Sequence, residues 1–301
     1  MSKFVKFLMF ALVLGFAVTV PAQALNFGGH DETSEVNFPL WAQGVPSPGV
    51  TPAITAIHVL ITEFAVTPTG QEFIEIYNPT AEPVDLSEYY LSDNWYEPSG
   101  LPVQGYFRFP EAGYQITTSS DYTVQFPQGT TIMPGAAMVI APDGAVLDAT
   151  YGAGTTDFEI TGTDPTIPDM INVGNNNPPI PPGGALLSNS AEFIMIFSWD
   201  GMSDNVCDVD YVTWGAAATT SRVDKTPFAI DGPDADAIAT PYKSDTPDAM
   251  QSAVPAPIAA ASTARLAGSE GFESPGGNGC CFEPPTTVEY GTWGRIKALY
   301  R

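Results

Sequence analysis

The feature that most constrains the fold is the alternation of short apolar runs with turn-forming residues between residues 54 and 250. Runs of Ile, Val, Leu, Phe and Tyr are separated by Gly, Pro, Asn and Asp. No window between residues 25 and 250 keeps apolar residues at a 3.6-residue spacing over a helical length. Short strands with frequent turns are typical of two packed β-sheets. We therefore predict an all-β fold, a β-sandwich.

The clearest predicted strand covers residues 72–77, where polar and apolar side chains alternate. Phe73, Glu75 and Tyr77 are expected on one face of this strand, and Glu72, Ile74 and Ile76 on the other. Further predicted strands have the same short, apolar character and lie at residues 54–66, 84–87, 89–93, 122–126, 131–132, 137–141, 193–199 and 209–214.

Composition excludes two broad classes. Hydrophobic residues make up 44% of the chain and aromatic residues 11%, which is too much for a disordered protein. Thirty-four acidic residues face only 10 basic ones, and the formal net charge is −24. Such a surface repels phosphate groups, so neither nucleic acid nor anionic lipid is an expected partner.

The N-terminus has the order of a secretory signal. Lys3 and Lys6 precede an apolar run at residues 7–20, and the small residues Ala22 and Ala24 follow. This order predicts a signal peptide at residues 1–24 with cleavage after Ala24, and no stable membrane insertion afterwards. The mature protein is then expected to be secreted, periplasmic or on the cell surface.

Composition also divides the rest of the chain. Residues 25–53 are predicted to be an N-terminal arm, and residues 54–250 the sandwich, with long loop insertions that include residues 150–184. Residues 251–286, rich in Pro, Ala and Gly, are predicted to be a linker. Residues 287–301 are aromatic and basic, and are either a sorting signal or a final strand on the sandwich. Together these two segments form an irregular C-terminal extension.

Several stretches resemble the lamin tail domain of bacterial exported proteins. The resemblance is carried by Ile61-Thr-Glu-Phe-Ala, by Gly70-Gln-Glu-Phe-Ile-Glu-Ile-Tyr-Asn-Pro-Thr and by Val84-Asp-Leu-Ser-Glu-Tyr-Tyr-Leu-Ser-Asp93. Thr131-Ile-Met-Pro-Gly-Ala-Ala-Met-Val-Ile140 and Asp208-Val-Asp-Tyr-Val-Thr-Trp-Gly215 resemble later strands of the same module. The resemblance spans roughly residues 55–216, and it implies an immunoglobulin-like sandwich used as a non-catalytic module.

Aspartates cluster in two loops that could bind calcium. The sequence places four of them within eleven residues and three more shortly afterwards: Asp200, Asp204, Asp208, Asp210, Asp231, Asp234 and Asp236. Calcium takes six to eight oxygen ligands and tolerates irregular geometry. The spacing is not that of an EF-hand, and the alternative is that these residues cap turns and face water. Calcium is a candidate cofactor of these loops, and the sequence leaves both interpretations open.

Other side chains point to structure rather than catalysis. Glu63 and Glu75 are interpreted as structural carboxylates that bind backbone N–H groups of a neighbouring loop, because burying them without hydrogen bonds would be costly. Of the two histidines, His30 lies in the arm and His58 in a predicted strand. No nucleophile elbow, zinc helix or phosphate loop is present in the sequence. We predict no catalytic residues.

The three cysteines, Cys207, Cys280 and Cys281, leave the disulfide state open. If a disulfide forms, a bond from Cys207 to one of the other two is favoured over a strained bond between neighbours. No C-x-x-C pair is present, which argues against thiolate metal sites.

The leading functional hypothesis is a secreted or cell-surface, non-catalytic module with a structural or binding role, for which calcium is a candidate stabilising ion and an unknown protein or surface ligand is the expected partner. A binding module is expected to expose aromatic residues, with Trp95, Tyr96 and Tyr106 as candidates. One alternative is an exported metal-dependent hydrolase that uses the Asp-rich loops. The other is a purely architectural component of the cell envelope.

Overall fold

The structure is a computed structural model. It describes residues 58–95, 105–162, 164–215, 222–226, 228–247, 249, 251, 253–258 and 261–265, and the backbone of residues 288–291. The predicted signal peptide and N-terminal arm lie outside the described residues. Within the described part of the chain, no helix has both the length and the apolar character that a membrane span requires.

Short strands dominate the chain. Numbered along the sequence, they are β1 (Leu60–Ala65), β2 (Phe73–Tyr77), β3 (Val84–Asp85), β4 (Tyr89–Ser92), β5 (Thr123–Gln125), β6 (Thr131–Ile132), β7 (Ala137–Ala141), β8 (Phe158–Glu159), β9 (Ile171–Asn172), β10 (Ala191–Ser198), β11 (Cys207–Gly215), β12 (Ala229–Ile230), β13 (Thr240–Pro241), β14 (Ser262–Arg265) and β15 (Val288–Gly291). One α-helix, α1 (Gly144–Tyr151), and a 3₁₀ turn at Tyr106–Arg108 complete the described elements.

Two large sheets form the body of the protein. The first has the strand order β15-β14-β1-β2-β7-β8, and the second has the order β11-β10-β4-β5-β9. All of these neighbours are antiparallel except β7 and β8, which are parallel. The strand pairs β3–β6 and β12–β13 form two small sheets. The predicted all-β sandwich is confirmed.

The main hydrophobic core takes side chains from both large sheets. Its members are buried and mostly aliphatic, and include Ile61, Phe64, Ile74, Ile76, Leu91, Val124, Ile140, Ile194, Ile196, Val209, Val212 and Trp214. The rings of Phe64 in β1 and Trp214 in β11 lie 4.8 Å apart between centroids, which links strands of the two sheets directly. Apolar burial of this extent is the dominant contribution to folding.

The alternation predicted for residues 72–77 is confirmed. Ile74 and Ile76 lie in the main core, whereas Phe73 packs on the opposite face of the first sheet. There Phe73 contacts a small cluster that includes Val139 of β7 and Leu147 of α1. A strand with period two therefore uses both faces, because a helix covers the outer one.

Helix α1 was not predicted, because eight residues are too few to show a helical period. Asp143 caps its N-terminus, and the carboxylate accepts a hydrogen bond from the N–H of Val146 at 3.1 Å. The residues Pro142, Asp143 and Gly144 look like a turn in sequence. Capped in this way, they start a helix instead.

A second core lies on the outer face of the five-stranded sheet. Phe193, Met195 and Phe197 alternate with the main-core residues of β10 and need cover of their own. Residues 105–114 and the β12–β13 hairpin supply that cover. Tyr106 is consequently 0% exposed, so the exposed aromatic patch predicted from Trp95, Tyr96 and Tyr106 is wrong for this residue. Trp95 is half-buried against Phe107, and Tyr96 lies outside the described residues.

Segments predicted to be loops contribute strands to both sheets. β8 and β9 lie in the predicted insertion, and they form edge strands of the first and second sheets. β14 lies in the predicted linker and pairs with β1, while β15 lies in the C-terminal segment and pairs with β14. The pairing of β15 favours the strand interpretation of the C-terminal segment over the sorting signal.

Candidate functional site

The exposed aspartates of the predicted calcium loops hold turns. Asp200 accepts hydrogen bonds from the N–H groups of Met202 and Ser203 at 2.9 and 2.7 Å. The hydroxyl group of Ser203 also binds Asp200 and lowers the pKa of its carboxyl group. Asp236 accepts from the N–H of Ile238 at 2.8 Å. Local bonds of this kind are the turn-capping alternative that the sequence left open.

Three of the predicted calcium ligands do come together. Carboxylate oxygens of Asp204, Asp231 and Asp234 lie within 4.8 Å of one another. Asp204 joins its loop to the β12–β13 hairpin by accepting hydrogen bonds from the N–H of Gly232 at 2.8 Å and from the hydroxyl of Thr240. The group lies at the protein surface. Asp200, Asp208, Asp210 and Asp236 are not part of it.

Asp208 belongs to a buried ion-pair network instead. Lys225 Nζ lies 2.6 Å from Asp208 Oδ2 and 2.9 Å from Asp245 Oδ2, and its side chain is 0% exposed. The Tyr106 hydroxyl donates a further hydrogen bond to Asp208 Oδ1 at 2.9 Å. Burial alone would lower the pKa of Lys225, but the two carboxylates outweigh burial and raise it. Asp208 is therefore neutralised by a lysine side chain.

Asp210 is neutralised in the same manner by an arginine. Arg265 Nη2 lies 2.8 and 2.7 Å from the two carboxylate oxygens of Asp210. Arg265 Nε also donates to the carbonyl of Ile61 at 2.9 Å, and the N–H of Ile61 donates to Asp210. The pair thus ties β11 of the second sheet to β14 and β1 of the first.

The two predicted structural carboxylates, Glu63 and Glu75, are both buried. Glu75 Oε1 accepts a hydrogen bond from the Thr62 hydroxyl at 2.7 Å, and Glu63 accepts one from the Ser262 hydroxyl. Burial raises the pKa of Glu75. Glu75 is bound by a hydroxyl of the adjacent strand β1, not by loop N–H groups as predicted.

Glu72 takes the loop-binding role that was predicted for Glu75. Its Oε2 accepts hydrogen bonds from the N–H groups of Leu186 and Leu187 at 2.8 and 3.0 Å. Burial raises the pKa of Glu72 to about 7 despite these bonds. Because Ile74 and Ile76 face the main core, Glu72 faces inward as well, at one end of that core.

A second group of carboxylates closes the same end of the core. Oxygens of Asp93, Asp121 and Glu192 lie within 4.8 Å of one another. Asp93 directly follows β4, Asp121 lies just before β5, and Glu192 is the second residue of β10. These three strands are neighbours in the second sheet, which brings the three residues to one sheet end. We refer to Asp93, Asp121 and Glu192 as the carboxylate cluster.

Side-chain alternation explains why two of these carboxylates point inward. Asp93 lies two residues beyond Leu91, and Glu192 lies two residues before Ile194, and both apolar residues belong to the main core. The sequence signal that could have revealed the cluster is therefore an acidic residue at an inward position of a strand end. Sequence reasoning missed it because it followed the local density of aspartates.

Asp93 is the most deeply buried member of the cluster, with 3% of its surface exposed. Its Oδ1 accepts a hydrogen bond from the N–H of Tyr122 at 2.7 Å, whereas its Oδ2 is buried without a hydrogen-bond partner. Burial, followed by the charges of Glu192 and Asp121, raises the pKa of Asp93 well above its usual range. Leaving a buried carboxylate oxygen unsatisfied is costly.

Glu192 and its neighbours add to this accumulation of negative charge. Burial raises the pKa of Glu192 to about 8; the N–H of Ser188, 2.6 Å from Glu192 Oε2, opposes the shift, and Asp121 and Glu72 add to it. The Tyr122 hydroxyl is buried without a partner, and burial together with Asp93, Glu192 and Glu72 raises its pKa. Among the described residues, the charged groups that raise the pKa values of Asp93 and Glu192 are themselves acids.

Two further predicted residues can be placed. His58 is buried just before β1, and its Nδ1 lies 3.0 Å from the carbonyl oxygen of Val59, as expected for a histidine held by structure. Cys207 forms a disulfide bond. The other cysteines of the sequence, Cys280 and Cys281, lie outside the described residues.

Comparison with protein-family models and with curated proteins finds no match. Among solved structures, the chain is similar to a DUF4876 family protein from Bacteroides thetaiotaomicron, with 16% sequence identity and a TM-score of 0.39. The similarity covers 56% of this chain and 56% of that chain, so just over half of the solved protein is matched.

Proposed function

We propose that this chain is an exported, non-catalytic module with a structural or binding role in the cell envelope or outside the cell, and that its sandwich is of the lamin-tail type. The stretches that resemble a lamin tail domain coincide with strands. Residues 70–80 contain β2, residues 84–93 contain β3 and β4, residues 131–140 cover β6 and most of β7, and residues 208–215 lie in β11.

The observation that best supports a structural role is that buried ion pairs connect separate segments in the described part of the protein. The side chains of Lys225 and Arg265 are fully buried; Lys225 binds Asp208 and Asp245, and Arg265 binds Asp210. Breaking such pairs is strongly destabilising, so charges of this kind hold elements together and are poorly placed to react. Attachment of β14 and of the segment around Lys225 to the sandwich by buried ion pairs suits a module with a structural role or one that presents a binding surface.

The hydrolase alternative would need several carboxylates around an open metal position. Of the aspartates predicted for it, Asp208 and Asp210 bind Lys225 and Arg265 and are therefore not available to a metal ion.

The excess of acidic residues guides the choice of partner, since 34 acidic residues face 10 basic ones. We expect a protein or another surface component as the partner.

Export is tested most simply by N-terminal sequencing of the protein recovered from its native cells after fractionation. The proposal predicts that the protein is found in the envelope or the medium and that its sequence starts at Leu25. A cytosolic protein that keeps Met1 would contradict it.

The absence of catalysis is tested by assays with ester, phosphoester and glycoside substrates. The rates should not change when Asp204, Asp231 and Asp234 are replaced by Asn.

A further inference from the structure

We propose that the carboxylate cluster of Asp93, Asp121 and Glu192 is a calcium site that closes one end of the sandwich. This site is distinct from the Asp-rich loops, and it would add a cofactor to the proposed structural role. Its ligands come from the ends of three neighbouring strands of the second sheet, so an ion there would clamp β10, β4 and β5 together.

The spacing of the oxygens fits calcium. Calcium binds oxygen at about 2.3–2.6 Å, so two ligands on opposite sides of the ion are about 5 Å apart. The cluster oxygens lie within 4.8 Å of one another, so an ion among them needs little rearrangement. All three ligands are carboxylates, which are oxygen ligands suited to hard cations, and no thiolate or imidazole belongs to the cluster.

Asp93 Oδ2 is the independent observation that points to a ligand. Only 3% of the surface of Asp93 is exposed, and this oxygen accepts no hydrogen bond. Its companion oxygen Oδ1 is held by the N–H of Tyr122 at 2.7 Å, which fixes the orientation of the carboxylate. A fixed, desolvated oxygen beside two further carboxylates is stable only with a cation or a proton nearby.

The surroundings are built to hold this arrangement. The Ser92 hydroxyl donates to the carbonyl of Tyr122 at 2.8 Å, and the N–H of Asn94 donates to the same hydroxyl at 3.1 Å. Asn94 Nδ2 in turn donates to the Tyr114 hydroxyl at 2.9 Å. The residues on both sides of Asp93 are therefore fixed, which preorganises a binding site. Asp121 and Glu192 are only half-buried, which leaves room for water to complete the coordination.

The test is calorimetric titration of the purified protein, freed of metal with a chelator, with calcium chloride and separately with magnesium chloride. We expect one calcium ion per chain at the cluster, with an affinity in the range of extracellular modules, about 0.1 to 1 mM, and at least tenfold weaker binding of magnesium. Two millimolar calcium should raise the melting temperature by about 3 to 6 °C.

Three variants locate the site. Asp93→Asn and Glu192→Gln each keep the shape of the side chain but remove a charge, and each should weaken calcium binding at least tenfold. The matched control is the double variant Asp231→Asn and Asp234→Asn in the exposed group, which should leave binding at the cluster unchanged. If Asp93→Asn does not fold, Glu192→Gln, whose side chain is half-buried, gives the same comparison.

The opposite results would overturn the proposal. If calcium produces no heat of binding in the calorimeter and does not shift the melting curve, the cluster is held by protons shared between its carboxyl groups and not by calcium. Binding that survives in Asp93→Asn and Glu192→Gln but disappears in the control variant would place the ion at the exposed loops. These outcomes are separate from the failure of the proposed function, because an exported structural module does not require an ion.

Discussion

Arg265 of β14 binds both carboxylate oxygens of Asp210 of β11, at 2.8 and 2.7 Å, and so joins the two sheets of the sandwich through a fully buried ion pair. The two residues are 55 positions apart in the chain. The segment that carries Arg265 is therefore part of the folded body and not a spacer after it.

Removing one partner of this pair should be more harmful than removing both. Arg265→Met leaves the Asp210 charge buried and should lower the free energy of unfolding by about 3 to 5 kcal/mol. The double variant Arg265→Met with Asp210→Leu should lose clearly less, because no unpaired charge remains. Urea unfolding followed by tryptophan fluorescence measures both values. Equal losses in the single and double variants would mean that the pair does not join the sheets as described.

Lys225 should be as important for the second core. Lys225→Met would leave Asp208 and Asp245 buried without their cation, and we expect a loss of about 3 to 5 kcal/mol at pH 7.5. Lys243→Met is the control, because Lys243 is exposed and a surface substitution changes stability by about 0.5 kcal/mol at most. The same urea experiment at pH 5 should show a smaller loss for Lys225→Met, because burial raises the pKa of Asp245 to about 6 and this carboxyl group can then take up a proton. A constant loss at both pH values would contradict the assignment.

Glu72 should make the metal-free protein less stable at alkaline pH. Its pKa in the folded state is about 7 against an ordinary value of 4.5, so the folded state binds more protons than the unfolded state between these values. The contribution of protonated Glu72 to the free energy of unfolding is then fully present below pH 4.5 and is lost as the pH rises through about 7. The shift corresponds to about 3 kcal/mol.

Glu72→Gln should remove that part of the pH dependence and raise the melting temperature at pH 8. Asp93 and Glu192 also have raised pKa values. The melting temperature of the wild-type protein should therefore fall with rising pH more steeply than Glu72 alone would cause. Melting curves in a chelating buffer from pH 4.5 to 8.5 measure the effect. A variant with the wild-type slope would contradict the account of Glu72.

The disulfide of Cys207 offers a further prediction. The sequence favours Cys280 or Cys281 as its partner, and a bond that closes so long a stretch of chain should add about 2 to 4 kcal/mol. Peptide mapping without reductant should yield the peptide of Cys207 joined to the peptide that carries the paired cysteines. Reduction should lower the melting temperature. A joined pair of Cys280 and Cys281 with free Cys207 would contradict this.

Sequence reasoning recovered what depends on local pattern. The faces of β2 follow from the alternation of residues 72–77, because a strand has a period of two whatever its neighbours are. The sandwich follows from many such strands separated by turns. Helix α1 was not predicted, because its eight residues are too few to show the 3.6-residue spacing of a helix.

The charged contacts could not be recovered, because they depend on which strands become neighbours. The pairing of Asp210 with Arg265 requires β14 to lie beside β1, and β14 lies in a segment whose composition indicates a linker. The carboxylate cluster requires β10, β4 and β5 to be adjacent in that order. Neither relationship can be predicted from the local sequence. The clustered aspartates at residues 200–210 are easy to see there, but in the structure they have different roles: Asp200 caps a turn, Asp204 binds the β12–β13 hairpin, and Asp208 and Asp210 form ion pairs.

The most direct test of the account is a crystal structure of the protein grown with calcium, with anomalous scattering measured at long wavelength. We predict an anomalous peak among Asp93, Asp121 and Glu192, with oxygen distances of about 2.3–2.6 Å and water completing the coordination. A fully occupied crystal with no peak at the cluster, or with a peak only among Asp204, Asp231 and Asp234, would contradict the central claim that the end of the sandwich is closed by a calcium ion.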